Sequence, residues 1–239
     1  MRAAYDFHLH SCLSPCGDAD MTPNNIVNMA KLLGLDVIAL TDHNSCRNCE
    51  AAVEVGKQVG VCVVPGMELS TSEDIHVVCL FPDTEKAMAF SRYVREHTAH
   101  IANRPEVYGA QQVLNSSDEC IGEEADLLLL ATEIGIEQAF DLVKSHGGFA
   151  YPAHIDRDSY SVTAVLGDLP PECNHGFAEM SYDADESALR ALYSLEGVEL
   201  IQSSDAHYLE NMKEATNYIE LEALTPQAVV NYFAQRAKN

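Results

Sequence analysis

Residues 3–41 read AAYDFHLHSCLSPCGDADMTPNNIVNMAKLLGLDVIALT. The opening AAYDFHL (3–9) predicts a buried strand. TPNNIVNMAKLLG (22–34) predicts a helix, with Thr22 as N-cap, Pro23 at the first helical position and Gly34 at the stop. DVIALT (36–41) is a second buried strand. A strand, a crossover helix and another strand make a parallel pair.

The alternation continues along the chain. CEAAVEVGKQVG (49–60) is a helix, and VCVVPGMEL (61–69) and IHVVCLF (75–81) are strands. TEKAMAFSRYVREHTAHI (84–101) reads as a helix with Ala87, Phe90, Val94, His97 and Ile101 on one face. The pattern then breaks. QQVLNSSDECIGEE (111–124) looks like a turn-bearing excursion and ADLLLLATEIG (125–135) like a short helix. Regularity returns with a helix at 136–148, strands at 149–154 and 176–182, and a helix at 186–197. Strands at 199–207 and 217–222 precede a closing helix, TPQAVVNYFAQRAK (225–238). This order predicts one α/β domain over 1–239, interrupted by a less regular stretch at about 102–135. Both a β/α barrel and a doubly wound open sheet satisfy the pattern.

Hydrophobic residues make up 47% of the 239, enough for a full core. MRAAYDFHLH carries one Arg without an apolar stretch behind it, and LLLLA (127–131) is too short to span a bilayer. The expectation is a cytoplasmic protein with no membrane partner. Its eight cysteines are then reduced thiols or ligands. With 37 acids against 14 bases the net charge is −23. Such a field repels long nucleic acid. It leaves room for a small phosphorylated substrate where divalent cations reverse the local charge.

Candidate ligands collect at strand ends. His8 and His10 close the first strand, Asp42 and His43 follow the second in LTDHN, and Glu68 ends the third. His76 opens the fourth, His154 ends FAYPAH, and Asp205 and His207 end QSSDAH. In a parallel barrel the carboxyl ends of the strands meet at one rim. His8/His10 and Asp205/His207 have i, i+2 spacing, which on a strand puts both side chains on one face. Mixed imidazole and carboxylate donors suit zinc, manganese or iron. His97, His100, His146 and His175 carry no such pattern.

The motifs DFHLHS, GDADMTP, LTDHN, GMELS, HVVCLF, PAHIDR and SSDAH, in this order, resemble the PHP (polymerase and histidinol phosphatase) family. The resemblance implies a distorted seven-stranded β/α (TIM-like) barrel holding three divalent metal ions. It implies hydrolysis of phosphate esters by a hydroxide held between metals. The first metal would take His8, His10, Glu68 and Asp205; the second Asp18, His43 and His207; the third Glu68, His76 and His154. Asp18 lies four residues before Thr22, as in the family pattern, and Asp20 is its rival. The Arg of PAHIDR, Arg157, resembles a phosphate clamp of the family's nucleotide-hydrolysing branch. A guanidinium suits that task because it binds phosphate bidentately. In that branch a small inserted subdomain covers the site, and the resemblance implies a reduced version of it at about 102–135; Arg104, in its NRPEVYG, and Arg47 are further substrate-binding candidates. Asp42 is a candidate proton donor to the leaving group, or an orienter of a ligand histidine.

Cys12, Cys16, Cys46 and Cys49 follow the first two strands and form a candidate second metal or redox site. The leading reading is hydrolysis of a small phosphorylated metabolite or nucleotide. A 3′–5′ exonuclease on short oligonucleotides and a non-catalytic metal- or redox-responsive domain are the alternatives.

Overall fold

The computed structural model describes residues 1–237. The strands are β1 (Arg2–Leu9), β2 (Val37–Leu40), β3 (Cys62–Ser70), β4 (His76–Leu80), β5 (Gln112–Leu114), β6 (Cys120–Glu123), β7 (Phe149–Pro152), β8 (Phe177–Ser181), β9 (Glu199–Ser203) and β10 (Tyr218–Glu220). The helices are α1 (Pro23–Leu32), α2 (Cys49–Val59), α3 (Thr84–Glu96), α4 (Pro105–Tyr108), α5 (Ile136–Ser145), α6 (Val162–Leu166), α7 (Glu186–Leu192) and α8 (Pro226–Arg236). The Thr22 hydroxyl caps α1 by accepting from Asn25 N, as its sequence signature predicts. The closing helix was expected to reach Lys238, which lies outside the described residues.

Six strands form a curled sheet in the order β10-β1-β2-β3-β4-β7. β8 and β9 form a separate parallel pair, tied to β1 by a parallel bridge between Leu9 and Ala206. A continuous seven-stranded ladder is absent among the described residues, and the sheet is mixed rather than parallel. β4 runs antiparallel to β3 and to β7, and β10 antiparallel to β1. The reason lies in chain length. Only Thr71 to Ile75 separate β3 from β4, and Thr71 N donates to Ile75 O to close a turn. A parallel return would need a crossover of a dozen residues or more. The reversal has a consequence for function: it brings the first residue of β4, His76, to the rim where β3 and β7 end.

The sheet buries both faces. Outside, Ile38, Leu40, Val63, Met67 and Cys79 pack with Ile26, Val27, Ala52, Phe90 and Val143 of the helices. Inside, Tyr5, Phe7, Val64, Leu80, Tyr151 and Phe177 enclose Val229, Val230 and Phe233 of α8. Gly66 lets the strands approach: a Cβ there would sit 2.8 Å from the Cys79 carbonyl and from the Thr41 methyl.

Two helical expectations fail. α3 stops at Glu96 instead of 101, and Thr98 turns away to bridge Thr132. ADLLLLATEIG forms no helix, because tertiary partners occupy its backbone. Leu127 N donates to Ile101 O, Leu128 N to the Gln111 side chain, and Thr132 N to Ser70 O. The Leu128 and Leu130 carbonyls accept from Asn44. Within the irregular region, β5 and β6 form an antiparallel hairpin.

Candidate metal centre

A β-bulge aims the first two histidines. Asp6 pairs with Ile38 and Leu9 with Leu40, so β1 spends one residue more than β2 over this interval. The extra residue resets the alternation. Phe7 and Leu9 no longer share a face: Phe7 joins the inner core and Leu9 the outer one. His8 and His10 turn inward together.

Glu68 lies at the centre. Its two carboxylate oxygens are approached by five imidazoles: His76 Nδ1 at 2.8 Å, His43 Nδ1 at 3.0 Å, His154 Nε2 at 3.1 Å, His10 Nε2 at 3.2 Å and His8 Nε2 at 3.3 Å. Asp205 Oδ1 stands 3.0 Å from His10 Nε2 and 3.4 Å from His8 Nε2. Three donor sets have atoms within 4.8 Å of one another: His8, His10, Glu68 and Asp205; His10, His43 and His207; and His43, Glu68 and His76. The first coincides with the set the family resemblance implied. In the second His10 stands where Asp18 was expected, and in the third His43 joins in place of His154.

The outer hydrogen bonds of the histidines fix which nitrogen faces inward. His8 Nδ1 bonds the buried Glu179 carboxylate at 2.8 Å, and a carboxylate can only accept. Ser14 Oγ donates to Asp42, so it accepts from His10 Nδ1. His207 Nδ1 donates to the Asp205 carbonyl at 2.9 Å. All three therefore turn Nε2 toward the cluster. The Nε2 atoms of His8 and His10 are 3.1 Å apart. Nitrogens that close, beside two carboxylates, call for a shared cation, a metal ion or a proton; against burial, the surrounding carboxylates raise both rings above the ordinary histidine range, His10 to about 9. Buried His43 Nδ1, His154 Nδ1 and Asp205 Oδ1 also make no aligned hydrogen bond. The donor set fits divalent metal ions.

Electrostatics agree. Burial opposes ionisation of Glu68, but the surrounding histidines, His76 first, hold its carboxyl well below the usual range. Asp205 is likewise held down, against burial, by His8 and His10. Burial pulls His207 down to about 3, helped by the charge of His10, and it lowers His43 as well. Both rings present neutral lone pairs.

Asp42 stands behind this layer. It is buried and accepts from Ser11 N, Ser11 Oγ and Ser14 Oγ, each at 2.7 Å. With its oxygens so filled it is linked to His10 through Ser14. Arg157 lies at the mouth, where Nη1 pairs with Asp205 Oδ2 at 2.6 Å. Asp18 is half-buried beside His207, donating its N–H to the His207 carbonyl, while Asp20 is exposed. Neither belongs to the three donor sets. Arg104 is exposed and its guanidinium sits 5.6 Å from the Tyr108 ring centre. That turn packs on the Asp18 loop: Gly109, at φ 99°, abuts Pro15 so closely that a Cβ would collide with its carbonyl. Arg47 pairs with Glu124 at 3.0 Å and lines a cavity of about 240 Å³ with Arg92 and Arg95.

The four cysteines do not join in one donor set, although Cys46 and Cys49 meet side by side. Cys46 and Cys49 are buried with their thiols against the Gly66 carbonyl, at 3.1 and 3.5 Å. Cys12 is buried and Cys16 exposed. No cysteine joins a donor set among the described residues. Burial pushes the Cys12 thiol up to about 12 and raises Cys46 well above its ordinary value.

Sequence reasoning missed Glu179, Ser14 and Tyr160. Glu179 is 1% exposed and holds both His8 Nδ1 and, at 3.2 Å, the His154 backbone N–H. Its signal was available: an acid at the centre of the apolar strand FAEMS. Ser14 carried none, since a serine in a loop is ordinary. Tyr160 stacks on His76, with centroids 4.8 Å apart.

The chain is similar to nucleases. It is 35% identical over 83 residues to a 5′-3′ exoribonuclease of Haemophilus influenzae, a match covering 34% of this chain and 29% of that one. It is 27% identical over 197 residues to the 5′-3′ exoribonuclease Rnm of Salmonella typhimurium, covering 64% and 66%. Matches to the curated relatives thus span 29% to 66% of their lengths. In fold it is similar to the lesion-specific endonuclease PfuEndoQ of Pyrococcus furiosus, with TM-score 0.68, 17% identity, and 98% of this chain against 56% of that one. A structure of Endonuclease Q with a 27-mer duplex bearing an abasic lesion aligns with TM-score 0.70 and 16% identity, covering 98% and 57%. These relatives overturn the expectation of a small substrate and of nucleic acid disfavoured by charge. A net charge describes the far field, whereas binding is decided by local cations at the site. The PHP domain family matches residues 6–223, and the chain belongs to it.

Proposed function

We propose that this chain is a metal-dependent phosphodiesterase acting on nucleic acid, with single-stranded RNA its first candidate substrate. One observation carries the chemistry: a buried carboxylate, Glu68, ringed by five imidazoles, two of which bring their Nε2 atoms within 3.1 Å of each other. RNA is put first because two curated relatives are named 5′-3′ exoribonucleases. That polarity, not the 3′–5′ alternative, is the one to test first.

The ligands would be His8, His10, Glu68 and Asp205 for one ion, His10, His43 and His207 for a second, and Glu68, His43 and His76 for a third, with His154 and Asp18 at the margins. Zinc, manganese and iron suit these donors. Bound there, such ions supply Lewis acidity toward phosphate oxygens and water. The chain supplies the rest. Glu179 and the Asp42–Ser14 pair hold the His8 and His10 tautomers. Arg157 offers its remaining N–H groups to a phosphate oxygen while one end stays tied to Asp205. The net reaction places the water oxygen on phosphorus and a proton on the departing alkoxide. The 102–135 segment, through α4 on the Asp18 loop, covers one side of the mouth.

The test is metal analysis of the purified protein, then digestion of end-labelled single-stranded RNA and DNA with zinc, manganese or iron. Stepwise release of nucleotides is expected. A metal-loaded protein that cleaves neither strand would remove the reading.

A further inference from the structure

Tyr160 serves neither the core nor the donor cluster. It lies in the loop between β7 and α6, just after Arg157. Its ring is parallel to His76, at 14° and 4.8 Å between centroids, yet the residue is 52% exposed. Its hydroxyl has no hydrogen-bond partner among the described residues. Its φ is 57°, in the left-handed region that is strained for a bulky side chain. The backbone is pinned there because its carbonyl accepts from His76 N at 2.8 Å. Glycine would hold this backbone without strain. The aromatic ring is retained at a conformational cost, on the lip of the cluster. His154 and Asp205, which flank Arg157 in space or sequence, share the left-handed conformation, at φ 27° and 49°.

We propose that Tyr160 is a stacking platform for an unpaired nucleobase next to the phosphate at the donor cluster. This rests on the nucleic-acid reading above and narrows it to bases free of a partner strand. The outer ring face is an open π surface, and stacking on it tolerates any base. His76 backs the inner face, so the ring is already ordered when the base arrives and little freedom is lost on binding. A base inside a duplex has both faces covered by its neighbours and cannot use the platform.

The experiment compares two nuclease-resistant phosphorothioate RNA trimers on the metal-loaded protein, by calorimetry. One trimer is complete; the other has abasic sugars flanking the first linkage. The wild type should bind the complete trimer about tenfold more tightly or better, the scale of one aromatic–base stack. Tyr160→Phe should keep that ratio, and Tyr160→Gly should bring it near one. Glycine suits the backbone there, and the melting temperature of the variant verifies folding. A ratio retained by Tyr160→Gly, or a ratio near one in the wild type, overturns the inference. Failure of the wild type to bind either trimer overturns it too. Hydrolysis of unmodified RNA is read separately. An intact ratio without hydrolysis would remove the phosphodiesterase reading and leave the platform standing.

Discussion

The inner face of the sheet is apolar at one end and ionisable at the other. At the apolar end Phe233 meets Phe7, Phe149, Tyr151 and Phe177, with centroids 5.0 to 5.7 Å away. One to three residues further along the same segments stand His8, His154 and Glu179. The rings are held by shape and dispersion, which are tolerant of small rotations. The histidines are held by directed bonds, His8 to Glu179 and His10 to a Ser14 that Asp42 fixes, which are not. The apolar floor excludes water and keeps the strands at fixed spacing, and on that footing the polar layer can leave donor atoms without protein partners. Stability concentrates in one layer and chemistry in the next.

This division can be broken at either end. The largest effect is expected from His8→Ala or Asp205→Ala, which should strip metal from the first donor set and reduce strand cleavage to background. Elemental analysis with a cleavage assay reads both, and full activity in a metal-free variant would end the model of a metal site. Phe233→Ala should cost about 3–5 kcal/mol of stability, the range for a buried aromatic truncated to Ala. Chemical denaturation measures it, and an unchanged midpoint would show that α8 is no support for the layer above. Glu179→Gln preserves shape but removes the charge behind His8. Metal affinity should fall roughly 10- to 100-fold, as for outer partners of ligand histidines; equal affinity by chelator competition would reduce Glu179 to a packing residue. Arg157→Ala should raise KM about tenfold with a smaller change in kcat, since charged hydrogen bonds contribute on the order of 1.5–3 kcal/mol. Unchanged kinetics would mean that the guanidinium serves only Asp205.

Much of the site was legible in the chain because ligand pairs on strands leave an i, i+2 signature. His8 with His10 could be read in that way; Asp205 and His207 were picked out by the same spacing, but the expected strand over 199–207 ends at Ser203 and Asp205 turns left-handed at φ 49°, so it is the Leu9–Ala206 bridge that sets the two segments side by side. Helix caps were legible for the same reason: Thr22 and Pro23 act within one turn of chain. Glu179 could be noticed as an acid in the apolar strand FAEMS, but its role was hidden because its partner His8 lies 171 residues away. The fate of ADLLLLATEIG was hidden because Asn44, Gln111 and Ser70 compete for its backbone, and local propensity does not report distant partners. Net charge is a poor guide to the substrate, because a whole-chain sum does not locate its members.

The sequence by itself determined the main alternation of strands and helices outside 102–135, the family and the residues of the histidine-rich cluster, since these follow from local pattern and short spacing. Only the tertiary structure decided their aim. The bulge in β1 turns His8 and His10 inward, and the tight return after β3 reverses β4 so that His76 reaches the rim. The approach of β8 places Glu179 behind His8. Each depends on which backbone groups pair across the sheet, and that pairing is settled by packing between segments far apart in the chain.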